Sequence, residues 1–237
     1  MKKGYYYEGK VLNKGKALFK NFLSILLLTF IAVVVAIVLR VFFFATFKIP
    51  TFSMEPTIEA GDQILVSKMI PGPRIFTDWR FLHNGNWQMK RWKGIRMLRR
   101  GDVVVFNFPR SNNDWSKIEM DFNVHYVKRI MGMSGDTLRI VNGFYTIDDV
   151  SDTLGVYNNQ LQLSSYPDSL LDKRVLNTFP YDKRYGWTVK FFGPIYIPRA
   201  GDCLAIDLNN ILFYEEQIEY ETGKQGWVAA TYAKLVD

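Results

Sequence analysis

Apolar residues follow three different rhythms along this chain. From Phe22 to Leu39 they form an eighteen-residue run without a single charge. As a helix that run is about 27 Å long, the shorter end of a membrane crossing. After Arg40 it resumes as Val41-Phe42-Phe43-Phe44-Ala45-Thr46-Phe47. An arginine there can snorkel to headgroups while the phenylalanines stay shallowly buried. The region is too long for a cleavable leader, and no small-x-small site follows it. The pattern predicts an uncleaved anchor over residues 21–47, with everything after Phe47 on the outer side.

From Ile49 onward the rhythm shortens. Gly61-Asp62, Gly101-Asp102, Gly135-Asp136 and Gly201-Asp202 each introduce a short apolar run. The runs are Gln63–Ser67, Val103–Phe108, Thr137–Val141 and Cys203–Ile206. Glycine followed by aspartate is turn chemistry, so each pair reads as a turn feeding a strand. The spacing is irregular and does not define a repeat. Helical spacing is scarce after the anchor, and Ile211–Glu221 is at most a weak case. The expected fold is mainly β: an N-terminal transmembrane helix followed by a coiled antiparallel sheet domain, not a parallel α/β sheet.

The third rhythm is polar. Residues 71–100 interleave Arg74, Arg80, Lys90, Arg91, Lys93, Arg96, Arg99 and Arg100 with Trp79, Trp87 and Trp92. Such a mixture can bind single-stranded nucleic acid. A surface insertion near anionic headgroups, or a twisted exposed hairpin, fits better beside an anchor. Residues 150–190, rich in Asn, Asp, Ser and Tyr, read as a second insertion. The chain therefore divides into a basic N-terminus (1–20), the anchor (21–47) and a β-rich domain (48–237).

Charge and cysteine narrow the picture. The net charge is +7, and the first twenty residues hold six lysines against Glu8 alone. A lysine-rich flank abutting an apolar helix is a topology signal that keeps the N-terminus on the cytoplasmic side. Nucleic-acid binding, the generic reading of a basic arm, is set aside on that ground. One cysteine, Cys203, and two histidines, His83 and His125, leave no set of residues for a zinc cluster or a thiol redox pair. No metal or cofactor is expected, and Cys203 reads as a buried strand residue.

The candidate chemistry sits just past the anchor, in Ile49-Pro50-Thr51-Phe52-Ser53-Met54-Glu55-Pro56-Thr57-Ile58. Ser53 lies between two prolines, in a stretch that cannot continue a helix. A serine hydroxyl needs a base to take its proton. His125 is one candidate. Lys128, seventy-five residues after the serine in Tyr126-Val127-Lys128-Arg129-Ile130-Met131-Gly132-Met133-Ser134-Gly135-Asp136, is the other. On a strand Lys128 shares a face with Tyr126 and Ile130, while Arg129 points away. A lysine base must be neutral, and at an ordinary pKa of about 10.4 only about one in two thousand is neutral at pH 7. Desolvation among apolar neighbours can lower that value by about three units. A solvated strand lysine and a turn-forming serine would fit the composition as well.

These two stretches resemble bacterial signal peptidase I, the membrane-anchored endopeptidase that removes signal peptides. Gly61-Asp62-Gln63-Ile64-Leu65-Val66 and Arg100-Gly101-Asp102-Val103-Val104-Val105-Phe106 carry the same resemblance, which covers the anchor and most of residues 48–140. It implies a β fold of the signal peptidase/LexA-like type, with Ser53 as nucleophile and Lys128 as general base. It also implies that Thr51 and the Ser53 backbone N–H hold the oxyanion. Ile49, Ile58 and Tyr126 would line shallow pockets for small side chains. The implied partners are signal peptides of exported preproteins and the phospholipid membrane, with no nucleic acid. The implied location is the bacterial inner membrane, crossed once.

The sequence departs from the family at two places. Phe52 stands where a small residue is frequent. The family's late Gly-Asp-Asn-Arg…Asp-Ser-Arg segment has no match, since Gly201-Asp202-Cys203-Leu204 shares only Gly-Asp. A truncated or noncatalytic membrane-anchored peptide-binding relative is therefore the second reading. A self-cleaving LexA-like regulator is a third, opposed by the anchor and by the lack of a DNA-binding helix pair.

Overall fold

The charge-free run coils into helix α1 (Lys3–Val38), which continues through one wider π turn at Leu39–Phe43. The computed structural model describes residues 3–76, 89–110, 118 and 120–224, with residues 3–17 as backbone. Trp79, Arg80, His83 and Trp87 lie outside the described residues. Leu18–Phe43 is long and apolar enough to cross a membrane, and none of that segment is buried against protein.

Helical structure ends sooner than the apolar pattern predicts. Phe44–Lys48 is strand β1, paired antiparallel with β2 (Gln63–Ser67) from Phe44↔Ser67 to Lys48↔Gln63. The pattern missed this because phenylalanine and threonine suit a paired strand as well as an anchor's end. The Lys68 ammonium donates to the Arg40 and Val41 carbonyls at 2.8 and 3.1 Å, satisfying acceptors that a helix terminus leaves open. Strand β3 (Arg74–Phe76) then pairs antiparallel with β4 (Met89–Arg91), so the basic insertion returns on itself as a ribbon.

Residues 1–98 form one compact unit and residues 99–237 a second. In the second, β5 (Val103–Asn107) pairs with β6 (His125–Arg129), and β7 (Thr137–Val141) lies between β8 (Phe144–Ile147) and β9 (Phe192–Tyr196). Every pairing between these strands is antiparallel, as expected.

The polar insertion over residues 150–190 is more helical than its composition suggests. It holds α2 (Tyr157–Ser165), a 3-10 turn at Asp168–Leu170 and α3 (Lys173–Leu176). Gln160, buried on α2, accepts from the Tyr145 N–H at 2.8 Å and donates to the Leu154 carbonyl at 2.5 Å. The weak helical pattern near Ile211 becomes α4 (Ile211–Thr222), closed by Gly223 at φ 68°. Around it Tyr185, Trp187, Phe192 and Phe213 pack ring against ring at 4.6–5.1 Å.

The four Gly-Asp pairs build one turn four times. At each, the aspartate N–H donates to the carbonyl three residues earlier, and its carboxylate accepts that residue's N–H. The turns span Glu59–Asp62, Arg99–Asp102, Met133–Asp136 and Arg199–Asp202, with their glycines at φ 101°, 86°, 92° and 90°. Only glycine adopts that backbone without strain. In the first three, the glycine N–H and aspartate carbonyl also bond one facing residue: Ile49, Ile130 and Ile197.

The fourth turn differs. Cys203–Ile206, expected as a strand, has no strand partner among the described residues and is irregular. Cys203 is exposed rather than buried. Among the described residues the run has β pattern but no ladder to join.

Candidate active site

The hairpin of β1 and β2 carries Ser53 on its loop. Ile49 closes the base of that loop, its N–H donating to Asp62 O at 2.9 Å and its carbonyl accepting from Gly61 N at 2.7 Å. It is also the most buried apolar residue among the described ones, 3% exposed. Inside the loop the Glu55 N–H donates to Phe52 O, and the Thr57 and Ile58 N–H groups both donate to Met54 O. Met54 is buried under these turns, while Thr51, Phe52 and Ser53 are exposed and Ile58 is half-buried. A loop whose base and interior bonds are backbone-made presents its serine on a fixed frame, just past strand β1.

In the second unit, Lys128 sits near the middle of the β5–β6 ladder, opposite Val104, and is half-buried. Tyr126 stands opposite Phe106, with ring centroids 6.2 Å apart, and 4.8 Å from the Phe108 ring. Its exposed ring and these aromatics form an apolar wall along the strand. His125 pairs with Asn107, whose side-chain nitrogen faces His125 Nε2 at 3.3 Å and also donates to Asp121 O.

The ladder is anchored at one end by residues that sequence reasoning passed over. The Arg129 guanidinium donates to Gly101 O at 2.9 Å. Arg100 donates to both carboxylate oxygens of Asp136, and the Met133 N–H donates to the same carboxylate at 2.7 Å. These bonds from Arg100 hold the Asp136 carboxyl below its ordinary range against the opposing effect of burial, with Met133 and Arg199 adding to the shift. Arg199 lies against Gly135, where a β-carbon would overlap its guanidinium. The signal was available in the Arg100-Gly101-Asp102 and Gly135-Asp136 stretches. Reading them only as turns hid the side-chain pairing between them.

Ile49, Thr51, Ser53 and Ile58 thus belong to the first unit, and Tyr126 and Lys128 to the second. Among the described residues, no group of three His, Cys, Asp or Glu side chains could hold a metal ion.

Known proteins give this arrangement its relatives. Signal peptidase I of Pseudomonas aeruginosa is 37% identical over 106 residues, covering 44% of this chain and 30% of that protein. Signal peptidase I of Rickettsia akari is 27% identical over 177 residues, 68% of this chain and 60% of its own length. The Bacillus licheniformis enzyme of the same name is 29% identical over 133 residues, 56% of this chain and 52% of its own. The chain spans less than two thirds of the length of each of these relatives. The model of the family described as signal peptidase, peptidase S26, matches residues 22–181, which include most of the apolar helical segment, the serine loop and the lysine strand, and the chain belongs to that family.

Proposed function

We propose that this chain is a membrane-anchored serine endopeptidase that removes signal peptides from exported preproteins after a small-x-small site. The observation that carries the reading is the exposed Ser53, held on a loop closed by Ile49, Gly61 and Asp62, ten residues after the π turn that ends the apolar helix. A substrate whose cleavage site leaves the bilayer reaches a nucleophile so placed without leaving the membrane surface.

Lys128 Nζ takes the proton from Ser53 Oγ as that oxygen attacks the scissile carbonyl. The Thr51 hydroxyl and the Ser53 N–H hold the oxyanion of the tetrahedral intermediate. The proton passes to the leaving amine as the peptide bond breaks, giving an acyl-enzyme on Ser53. Water, deprotonated by Lys128, then releases the signal peptide as a carboxylic acid and regenerates the serine. Ile49, Ile58 and Tyr126 wall shallow pockets that admit alanine-sized side chains and reject larger ones by clash. An extended substrate pairs along the strand edge near Tyr126. The lysine-rich N-terminus stays in the cytoplasm, α1 crosses the inner membrane once, and the β-rich domain lies outside.

Purified full-length protein in detergent, incubated with a preprotein, tests the reading. Cleavage after a small-x-small site, abolished by both Ser53→Ala and Lys128→Ala, is the expected result. A noncatalytic membrane-anchored peptide-binding relative is the second reading, favoured by Gly201-Asp202-Cys203-Leu204, which shares only Gly-Asp with the family's late segment. Folded protein that binds the preprotein without cutting it would establish that reading and overturn the first.

A further inference from the structure

The basic ribbon after the serine loop sets two arginines face to face. Arg74 and Arg91 are direct cross-strand partners in β3–β4. Like charges placed opposite one another oppose pairing. Lys68 and Arg40 extend the row: burial, then Arg40, then Arg74 lower the Lys68 pKa, and burial followed by Arg91 lowers that of Arg74. From Gln63 to Leu98 the sequence holds seven basic residues against Asp78 alone.

The ribbon is also built onto the end of the anchor. The Trp92 ring stacks on Phe42 of the π turn, with centroids 6.3 Å apart and planes 23° from parallel. Arg91 donates to Gly72 O at 2.7 Å, the Trp92 N–H to Pro73 O and the Ile95 N–H to Met69 O. Gly72 and Gly94 pack so closely that a β-carbon on either would strike backbone. From this fixed base Trp92, Ile95 and Met97 project 59%, 72% and 84% exposed. Apolar side chains beside a membrane-crossing helix, with cations at the same level, match the boundary between acyl chains and headgroups.

We infer that Arg74 and Arg91, with Lys68 and Arg40 beside them, form a binding site for the phosphodiester of an anionic phospholipid. The lipid belongs to the leaflet from which α1 emerges. The arginine forks suit a phosphodiester, and Trp92, Ile95 and Met97 rest among its neighbours' upper acyl carbons. A nucleic acid suits the site less well. The Trp92 ring already stacks on Phe42, and Ile95 and Met97, the exposed apolar side chains beside it, offer a base no ring to stack on.

Native mass spectrometry of the full chain, released from micelles holding equal phosphatidylglycerol and phosphatidylcholine of matched chain length, tests the site. Phosphatidylglycerol should be retained preferentially. Arg74→Gln and Arg91→Gln should each lower the preference about fivefold. Arg91→Lys, which keeps the charge but not the fork, should retain only part of it, and Lys173→Gln, on α3, should leave it unchanged. Equal retention of the two lipids by the unaltered chain would overturn the inference whatever the variants do. So would an unchanged preference in the folded Arg74→Gln/Arg91→Gln protein. Displacement of the lipid by inorganic phosphate would mark a free-anion site, and displacement by single-stranded DNA a nucleic-acid site; either would contradict it.

Discussion

Asp136 accepts from the Met133 N–H and from two nitrogens of Arg100 while only 8% exposed. Asp136→Ala would leave a turn and a guanidinium without their acceptor, and should destabilise the domain by about 2–3 kcal/mol in a denaturant titration. Its carboxyl is held below the ordinary value of 3.8. The stabilisation it gives is therefore fully present above that value and is lost as pH falls through the depressed one. Acid unfolding followed by tryptophan fluorescence should begin at higher pH in Asp136→Asn than in the unaltered chain. Thr51 belongs to the same scale. Thr51→Val should lower kcat by about 10²–10³-fold with little change in KM, whereas Thr51→Ser should retain most activity. Single residues with local chemistry, such as Ser53 and Lys128, could be singled out in the sequence. Arg100 and Asp136 each stand in a stretch the sequence marks, but their pairing across thirty-six residues is made by the fold.

Four turns of one construction organise the strands, and their glycines are not equivalent. At Gly101 a β-carbon meets nothing within 4 Å, so Gly101→Ala carries only the strain of φ 86°, about 1–3 kcal/mol. Gly135→Ala carries similar strain and must also displace Arg199 from its place against the turn. Thermal melts should rank Gly135→Ala below Gly101→Ala. The turns were legible because Gly-Asp encodes its geometry locally. The strands at Gln63–Ser67, Val103–Asn107 and Thr137–Val141 followed from them. Cys203–Ile206 has the same pattern and no strand, since a strand needs a facing chain that no local pattern can supply. Helix α4 errs the other way. At its entry the Asp207 carboxylate accepts from the Asn210 N–H and the Asn210 side chain donates to Ala205 O, and Gly223 closes its exit, outweighing a mixed composition.

At the scale of the whole chain, an apolar helix and two compact units carry the family's elements. The charge-free run made the helix plain from sequence, whereas its end was blurred because Val41–Phe47 is as apolar as the anchor itself. Phe30 lies near the middle of Leu18–Phe43. Phe30→Arg should raise the apparent free energy of membrane insertion by about 2.5–3.5 kcal/mol in a translocon assay. The division of labour between Ser53 and Lys128 is the central claim. Its most direct test is intact-mass and peptide-mapping analysis of the chain after rapid acid quenching with a preprotein. An acyl adduct of the signal peptide on the Ser53 peptide, absent in Ser53→Ala and not formed in Lys128→Ala, is the predicted result. Preprotein cleavage with no adduct at Ser53, or cleavage that survives Ser53→Ala, would contradict it.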